Sequence, residues 1–216
     1  MKKVLGLVVS ERRLGNSEIL LKEIMGSITE PCIFELIRLT EMNIKPCKAC
    51  YRCLNPEKAC RIKDDFNFVL DKIKNADALL IGVPVYVLGP HGSLKMLTDR
   101  MLGVSRFVNQ TRGKPCVLVI PYGKEGYTGY TKTAVLVLPR ILEMRIFERW
   151  MINAALPGEC LINEENLIHA KELGKKIFKG QPEFQKNPWE CINCGADLFR
   201  FLPDGGIECP LCNKKE

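Results

Sequence analysis

Lys3-Val4-Leu5-Gly6-Leu7-Val8-Val9-Ser10-Glu11-Arg12-Arg13-Leu14-Gly15-Asn16-Ser17 is an apolar run that stops at a polar, arginine-bearing loop. Asn16–Met25 follows with Ile19, Leu20, Ile24 and Met25 at helical spacing. The same alternation continues outward. Cys32–Leu36 reads as a second strand, and Phe66, Val69, Leu70 and Ile73 as a helix stripe opened by Asp64-Asp65. Ala78–Val83 is a continuous apolar strand buried on both faces, and Gly92–Leu102 a helix. Pro115–Ile120 is another buried strand. Thr128–Met144 reads as a helix that Pro139 should kink or break. Ile146–Ala155 holds a fifth strand. Glu164–Phe178 closes the unit as a helix with Leu167, Ile168, Leu173 and Ile177 on one side. Five apolar strands separated by helices predict an α/β fold, a five-stranded parallel sheet with right-handed crossovers. Ligands of such a sheet sit at the carboxyl ends of its strands.

Residues 1–182 form this α/β unit, with a cysteine loop at 44–61. After Gly180 the composition changes. Gln181-Pro182 begins a polar connector reaching Pro188, and 187–216 reads as a separate small ribbon. A unit of that size buries too little surface to fold alone, so a metal must hold it. No internal repeat is visible.

Hydrophobic content of 46 % and aromatic content of 7 % are ordinary for a globular protein. The formal net charge is +7. It falls to about +3 once eight metal-bound thiolates are set against a cluster core and a divalent ion. The lysines are spread along the chain, which argues against a nucleic-acid partner. The start imitates a signal peptide, but its apolar run is too short and no small-residue cleavage site follows. No apolar stretch approaches the ~20 residues of a membrane-spanning helix. Cysteine motifs of metal-binding spacing without a secretory signal point to the reducing cytoplasm.

Eight of the eleven cysteines fall into two groups, Cys47-x2-Cys50-x2-Cys53-x6-Cys60 and Cys191-x2-Cys194-x14-Cys209-x2-Cys212. Overlapping CxxC pairs in one loop suit a cuboidal iron–sulfur cluster, against the alternatives of zinc or a disulfide pair. Two separated CxxC pairs suit a single tetrahedral ion, zinc or iron. Trp189-x-Cys191-x2-Cys194-Gly195 and Cys209-Pro210-x-Cys212 also resemble rubredoxin, with Asn213 where rubredoxins usually have glycine. Cys32, Cys116 and Cys160 read as small core residues.

Three loops lie at strand ends. In Ser10–Ser17, hydroxyls, an amide and an arginine meet a helix N-terminus, the parts of a phosphate site. Ser10, Arg12, Asn16 and Ser17 are the candidates, with Glu18 beside them. Gly82–Pro90 and Pro121–Gly129 supply glycines that admit a planar ring and tyrosines that can stack on one. Their candidates are Pro84, Val85, Tyr86, Gly89, Tyr122, Gly123, Gly126 and Tyr127. His91 opens a helix near these loops and reads as a cap before a proton donor. His169 reads as solvated.

Ser10–Ser17 is similar to a GSxRxxGNS phosphate loop with Val9 in place of glycine. Pro84-Val85-Tyr86, Gly89, Leu94-Lys95 and Asp99-Arg100 follow a PVYxxxxxxxLKxxxDR pattern, and Gly158-Glu159 leads into Glu164-Glu165-Asn166-Leu167. With Ile44-Lys45-Pro46-Cys47 through Cys60, residues 1–180 resemble the iron–sulfur flavoproteins, a branch of the NADPH-dependent FMN reductase-like proteins with a flavodoxin-like three-layer sandwich. The resemblance implies FMN, a 4Fe–4S cluster on Cys47, Cys50, Cys53 and Cys60, and a homodimer or homotetramer. It puts the phosphate on Ser10, Arg12, Asn16 and Ser17 and the flavin ring along Pro84–Gly89 and Tyr122–Tyr127. The tail lies outside the family pattern. The expected function is an oxidoreductase coupling two-electron flavin chemistry to one-electron transfer, linked to NAD(P)H or a ferredoxin-like carrier. The flavin carries the chemistry, with no catalytic side chain. Lys45, Lys48, Arg52, Lys58 and Arg61 surround the cluster loop and suit an acidic carrier. The alternatives are a non-enzymatic electron carrier or redox sensor, or a binding protein acting through a zinc ribbon.

Overall fold

In the computed structural model, which describes residues 1–55, 57–181 and 186–215, strand and helix alternate. They run β1 (Lys2–Val8), α1 (Asn16–Gly26), β2 (Cys32–Arg38), α2 (Phe66–Asn75), β3 (Ala78–Gly82), α3 (Gly92–Asp99), β4 (Pro115–Tyr122), α4 (Thr131–Ile141), β5 (Arg145–Asn153) and α5 (Glu164–Lys176). The five strands form one parallel sheet in the order β2-β1-β3-β4-β5. Period-two alternation divides their side chains between two cores. Leu5, Leu7, Leu79, Ile81, Leu118 and Ile120 meet α2, α3 and α4 on one face. Val4, Val8, Ala78, Leu80, Val117 and Val119 meet α1 and α5 on the other. Burial on both faces explains why the central strands read as unbroken apolar runs. The result is the flavodoxin-like three-layer sandwich.

The elements depart from expectation in four places. The helix after β3 ends at Asp99, and Met101–Arg106 continues as a 3-10 turn. The helix expected over 128–144 is confined to Thr131–Ile141, with Pro139 buried in its last turn. There the proline removes one N–H from a helix that ends two residues later, and its carbonyl accepts the Met144 N–H at 2.9 Å. On α5 the buried face is Ala170, Leu173, Gly174 and Ile177, and Ile168 points outward at 56 % exposure. Helical rotation sets residue 168 opposite that stripe. Cys32, on the edge strand, is half-buried; Cys116 and Cys160 are fully buried, and burial pushes the Cys160 thiol up to about 11.

Residues 186–215 carry a short antiparallel pair, β6 (Arg200–Phe201) and β7 (Ile207–Glu208). Cys191, Ala196 and Cys209 are buried in the same core as Leu136, Leu142 and Met144. Arg149 of β5 reaches Glu190 and the Gly195 carbonyl, both inside the protein. Thr133 Oγ1 donates to Asp197 Oδ1 at 2.7 Å, and Arg140 Nε to the Leu211 carbonyl at 3.1 Å. The ribbon thus packs onto α4 and β5. The connector read over 181–188 lies in part, at 182–185, outside the described residues. Among the described residues no helix is long and apolar enough to cross a membrane.

Gly174 lets α5 touch α1, since a Cβ there would stand 2.3 Å from the Ile24 carbonyl oxygen. Gly174→Ala is expected to cost about 1–3 kcal/mol through overpacking. At roughly 2–4 °C per kcal/mol, the melting temperature in a thermal scan should fall by several degrees.

Candidate functional site

Because all five strands are parallel, the loops that follow them emerge at one edge of the sheet. Ser10, Arg12, Gly15, Asn16, Ser17, Pro84, Val85, Tyr86, Pro121, Tyr122, Gly123, Ala154 and Ala155 line one recess there. Its cavity volume is about 260 Å³, slightly smaller than a usual small-molecule site, and it opens to solvent. The first intrahelical bond of α1 runs from Ile19 N–H to the Gly15 carbonyl, 3.0 Å. The amides of Asn16, Ser17 and Glu18 therefore precede any helical acceptor and suit an anion.

The loop after β1 is braced from beneath. Arg38 at the end of β2 donates to the carbonyls of Ser10 (3.2 Å) and Arg12 (3.1 Å), and its Nη2 meets Glu18 Oε2 at 2.5 Å. Both side chains are buried. The same Glu18 oxygen accepts the Leu14 N–H at 2.7 Å and so holds Leu14 at a φ of 52°. Burial pushes the Glu18 carboxyl up, yet bonds from Lys22, Arg38 and the Leu14 amide together draw it down to about 2.

Nine of the thirteen candidates converge on the recess. Glu18, Gly89, Gly126 and Tyr127 do not line it. Glu18 is spent on Arg38, and Gly89 packs against the Tyr130 ring. Tyr127 lies under Lys124 Nζ at 4.2 Å. Asn16 lines the recess, but its amide is committed elsewhere. Its Nδ2 donates to the carbonyls of Ala154 and Leu156 at 2.9 Å each, and its Oδ1 accepts the Cys160 N–H at 3.3 Å. It locks the loop after β5 to α1. Arg12 Nη1 donates to the Ala155 carbonyl at 2.7 Å. Tyr122 donates to Glu125 at 2.7 Å, and that bond pushes its hydroxyl up.

Gly15, Pro121, Ala154, Ala155 and the bracing Arg38 are members that sequence reasoning missed. Glu159, which takes the amides of Ala155 and Leu156 at 2.6 and 2.7 Å, sits in the Gly158-Glu159 stretch and was signalled there. His91 caps α3, its Nδ1 accepting the Ser93 N–H at 3.2 Å, with Nε2 3.8 Å from Glu11. His169 is not solvated as expected. It is half-buried, packs edge-on against Trp150 at 4.6 Å and lies 3.9 Å from Glu148.

The second site is the loop between β2 and α2. Cys47, Cys50, Cys53 and Cys60 line one small recess together with Arg100 and Leu102. Ala49 and Tyr51, two of the four residues between the first three cysteines, hold left-handed φ values of 48° and 52°. Such backbone clusters at functional sites. Arg100 pairs with Asp64 at 2.6 Å, each side chain only 1 % exposed. Its Nη2 stands 3.4 Å from Cys60 Sγ. Its buried Nε–H has no hydrogen-bond partner among the described residues. Four soft thiols lining one recess, one of them bonded to an arginine with a spare donor, fit an iron–sulfur group, whose sulfurs accept such bonds. The outer face of the loop is lined by Lys45, Lys48, Arg52, Lys58, Arg61 and Lys63.

The third site is in the ribbon. The sulfurs of Cys191, Cys194, Cys209 and Cys212 all lie within 4.8 Å of one another. Cys191–Cys212 and Cys194–Cys209 are 3.5 Å apart. A tetrahedral ion with bonds of about 2.3 Å sets its sulfurs about 3.8 Å apart, so the tetrad fits one metal ion. Gly195 (φ 75°) and Asn213 (φ 56°) close the two turns, donating to the Cys191 and Cys209 carbonyls at 2.8 and 2.7 Å. Asn213 does glycine's work here, since asparagine tolerates the left-handed region. Burial pushes the Cys212 thiol up, but bonds from the Asn193 side chain and the Lys214 amide draw it down to about 6.

The sheet order and the recess at its carboxyl edge define a flavodoxin-like α/β protein with two added cysteine centres. Residues 2–156 match the NADPH-dependent FMN reductase family, and the chain belongs to it. It is 40 % identical over 99 residues to an iron–sulfur flavoprotein of Methanocaldococcus jannaschii, covering 45 % of this chain and 51 % of that protein. It is 27 % identical over 190 residues to an iron–sulfur flavoprotein of Archaeoglobus fulgidus, covering 81 % and 78 %. The chain thus spans about half the length of the Methanocaldococcus protein. Among solved structures, a flavone reductase superposes with a TM-score of 0.73 at 19 % identity, over 99 % of this chain and 76 % of that one. An FMN-dependent NADH-azoreductase of Bacillus anthracis gives 0.62 at 13 % identity, over 80 % and 98 %. At such identities these structures establish the fold.

The Glu18 carboxyl sits well below its ordinary 4.5. Its contribution to stability is therefore present above that value and lost as pH falls toward about 2. Glu18→Gln is expected to cost about 1–3 kcal/mol at pH 7 by removing the buried carboxylate from Arg38, which keeps only the half-exposed Glu41 at 3.2 Å. In urea unfolding, the gap between Glu18→Gln and the natural chain should close as pH falls from 4.5 to about 2.

Proposed function

We propose that this chain is a flavin-dependent oxidoreductase of the iron–sulfur flavoprotein type, coupling two-electron flavin chemistry to single-electron transfer. The observation that carries the reading is the recess, which joins an anion-suited helix terminus to the Pro84–Tyr86 and Tyr122–Gly123 segments on the edge where the cysteine loop also emerges. FMN, when bound, accepts a hydride and releases electrons singly. Ser10, Arg12 and Ser17, with the first amides of α1, hold its phosphate. Pro84, Val85, Tyr86, Tyr122 and Gly123 flank its ring. Asn16 and Glu18 act one step back, shaping the loops that carry those contacts.

Cys47, Cys50, Cys53 and Cys60 ligate a 4Fe–4S cluster in this reading. Their compact spacing supports it. So does the small recess that all four line beside Arg100, whose Nη2 stands 3.4 Å from Cys60 Sγ. The basic rim favours an acidic single-electron carrier such as a ferredoxin, and the family favours NAD(P)H as hydride donor. The ribbon's closed tetracysteine site suits zinc or a single iron, and zinc is the commoner structural occupant of such a site. The resemblance to the iron–sulfur flavoproteins favours a homodimer or homotetramer. The free thiols favour a reducing compartment such as the cytoplasm.

Anaerobically purified protein should contain about one FMN, four iron, four acid-labile sulfide and one zinc per chain. Cys53→Ser should lose iron and sulfide while retaining flavin, and Cys209→Ser should lose zinc. Two zinc ions without sulfide would overturn the cluster assignment. Arg12→Ala should weaken FMN binding by about 10–100-fold in a flavin-fluorescence titration, since a charged hydrogen bond contributes about 1.5–3 kcal/mol. Unchanged affinity would remove Arg12 from the phosphate site.

A further inference from the structure

The cysteine loop leaves the sheet after β2 and returns to α2, and one guanidinium from another element holds both of its stems. Arg100, the residue after α3, donates through Nη1 to the Lys45 carbonyl at 2.9 Å on the outgoing stem. On the returning stem it meets both Asp64 oxygens, at 2.6 and 3.3 Å. Nη2 also reaches Cys60 Sγ at 3.4 Å. Asp64 in turn accepts the Lys45 N–H at 2.8 Å and the Phe66 N–H at 3.2 Å. The guanidinium lies 4.5 Å from the Phe66 ring centre, which closes it off from water. Asp64 holds the guanidinium charged, and the pair shifts the Asp64 carboxyl down despite its burial. Of the four cysteines only Cys60 takes a bond from Arg100 among the described residues.

A buried pair of this kind is weak as a source of net stability, and strongly directional as a fastener. Here it fastens the one cysteine separated from the other three by six residues. A positive N–H donor on a ligating sulfur favours the more negative, reduced state of an iron–sulfur group and so raises its potential. The neighbouring carboxylate opposes that effect. We propose that Arg100, locked by Asp64, is the positioning residue of the cysteine loop: it sets the two stems in ligating register and, through Cys60, raises the potential of the bound cluster. The second half rests on the cluster reading above. The first does not.

The test uses the full chain with Arg100→Gln, Arg100→Lys and Asp64→Asn. In the cluster-loaded protein, a redox titration followed by electron paramagnetic resonance should move in opposite directions. Arg100→Gln should fall, by about tenfold in the electron-transfer equilibrium, or about 59 mV for one electron. Asp64→Asn should rise, because the arginine charge is no longer offset. Shifts of the same sign, or none, overturn the proposal, since a merely structural fastener does not reverse sign between its two halves. In the full chain freed of iron and sulfide but with the ribbon's metal retained, trypsin should cut between Lys45 and Lys63 at least tenfold faster in Arg100→Gln and Arg100→Lys than in the natural chain. Arg100→Lys keeps the charge and loses the fork, so it carries this measurement if the glutamine variant does not fold. Equal cutting overturns the proposal. If the natural chain holds no sulfide, the cluster reading has failed on its own account, and the cutting rates alone uphold or overturn the fastening role.

Discussion

Covering both faces of the sheet is the constraint from which the molecule's chemistry follows. A strand buried on both sides must satisfy its backbone in the ladder, and parallel strands require a helical crossover before the chain can return. Each crossover then begins at the same edge. The loop after β1, the cysteine loop after β2 and the loops after β3, β4 and β5 are neighbours for that reason. Arg38 illustrates the economy. It belongs to the end of β2, yet its guanidinium reaches under the loop after β1 because the two strands are paired in register from Lys2–Cys32 to Val8–Arg38.

Three arginine–carboxylate pairs, all buried, sit beneath the three candidate sites. Arg38–Glu18 supports the phosphate-type loop, Arg100–Asp64 the cysteine loop, and Arg149–Glu190 the ribbon. Each joins segments far apart in sequence, and each carries further bonds to backbone carbonyls or amides of the loop it supports. Loops with irregular backbone cannot satisfy themselves as helices and strands do. A forked, permanently charged donor with a fixed partner is an effective way to hold one shape.

The legible part of the sequence was the part governed by local periodicity and spacing. Unbroken apolar runs such as Leu79–Ile81 announced central strands, and the cysteine spacing announced two different centres. Ends of elements were less legible. Pro139 was expected to break a helix, and its position in a last turn depends on where Leu138 and Leu142 find their core. Ile168 looked like a member of a core stripe because sequence alone does not say which of two overlapping faces is covered. The supporting residues were the least legible. Asn16 looked like a phosphate ligand because an amide near a helix start suits that role, and only its partners at Ala154, Leu156 and Cys160, about 140 positions away, reveal a different task. Arg100 was visible as part of a motif but its partner Asp64 was read as a helix-starting residue.

The ribbon's seat on α4 and β5 gives synthesis an order of events. The ribosome delivers Leu136, Leu142, Met144 and Ile146 well before Cys191 and Cys209, the residues that bury against the same core. Until Cys191 and Cys209 emerge and pack there, that apolar seam faces water, and nascent chains exposing such surface are prone to stick to one another. The residues that close the seam are thus among the last made, and damage to them would register first as lost protein rather than as altered chemistry.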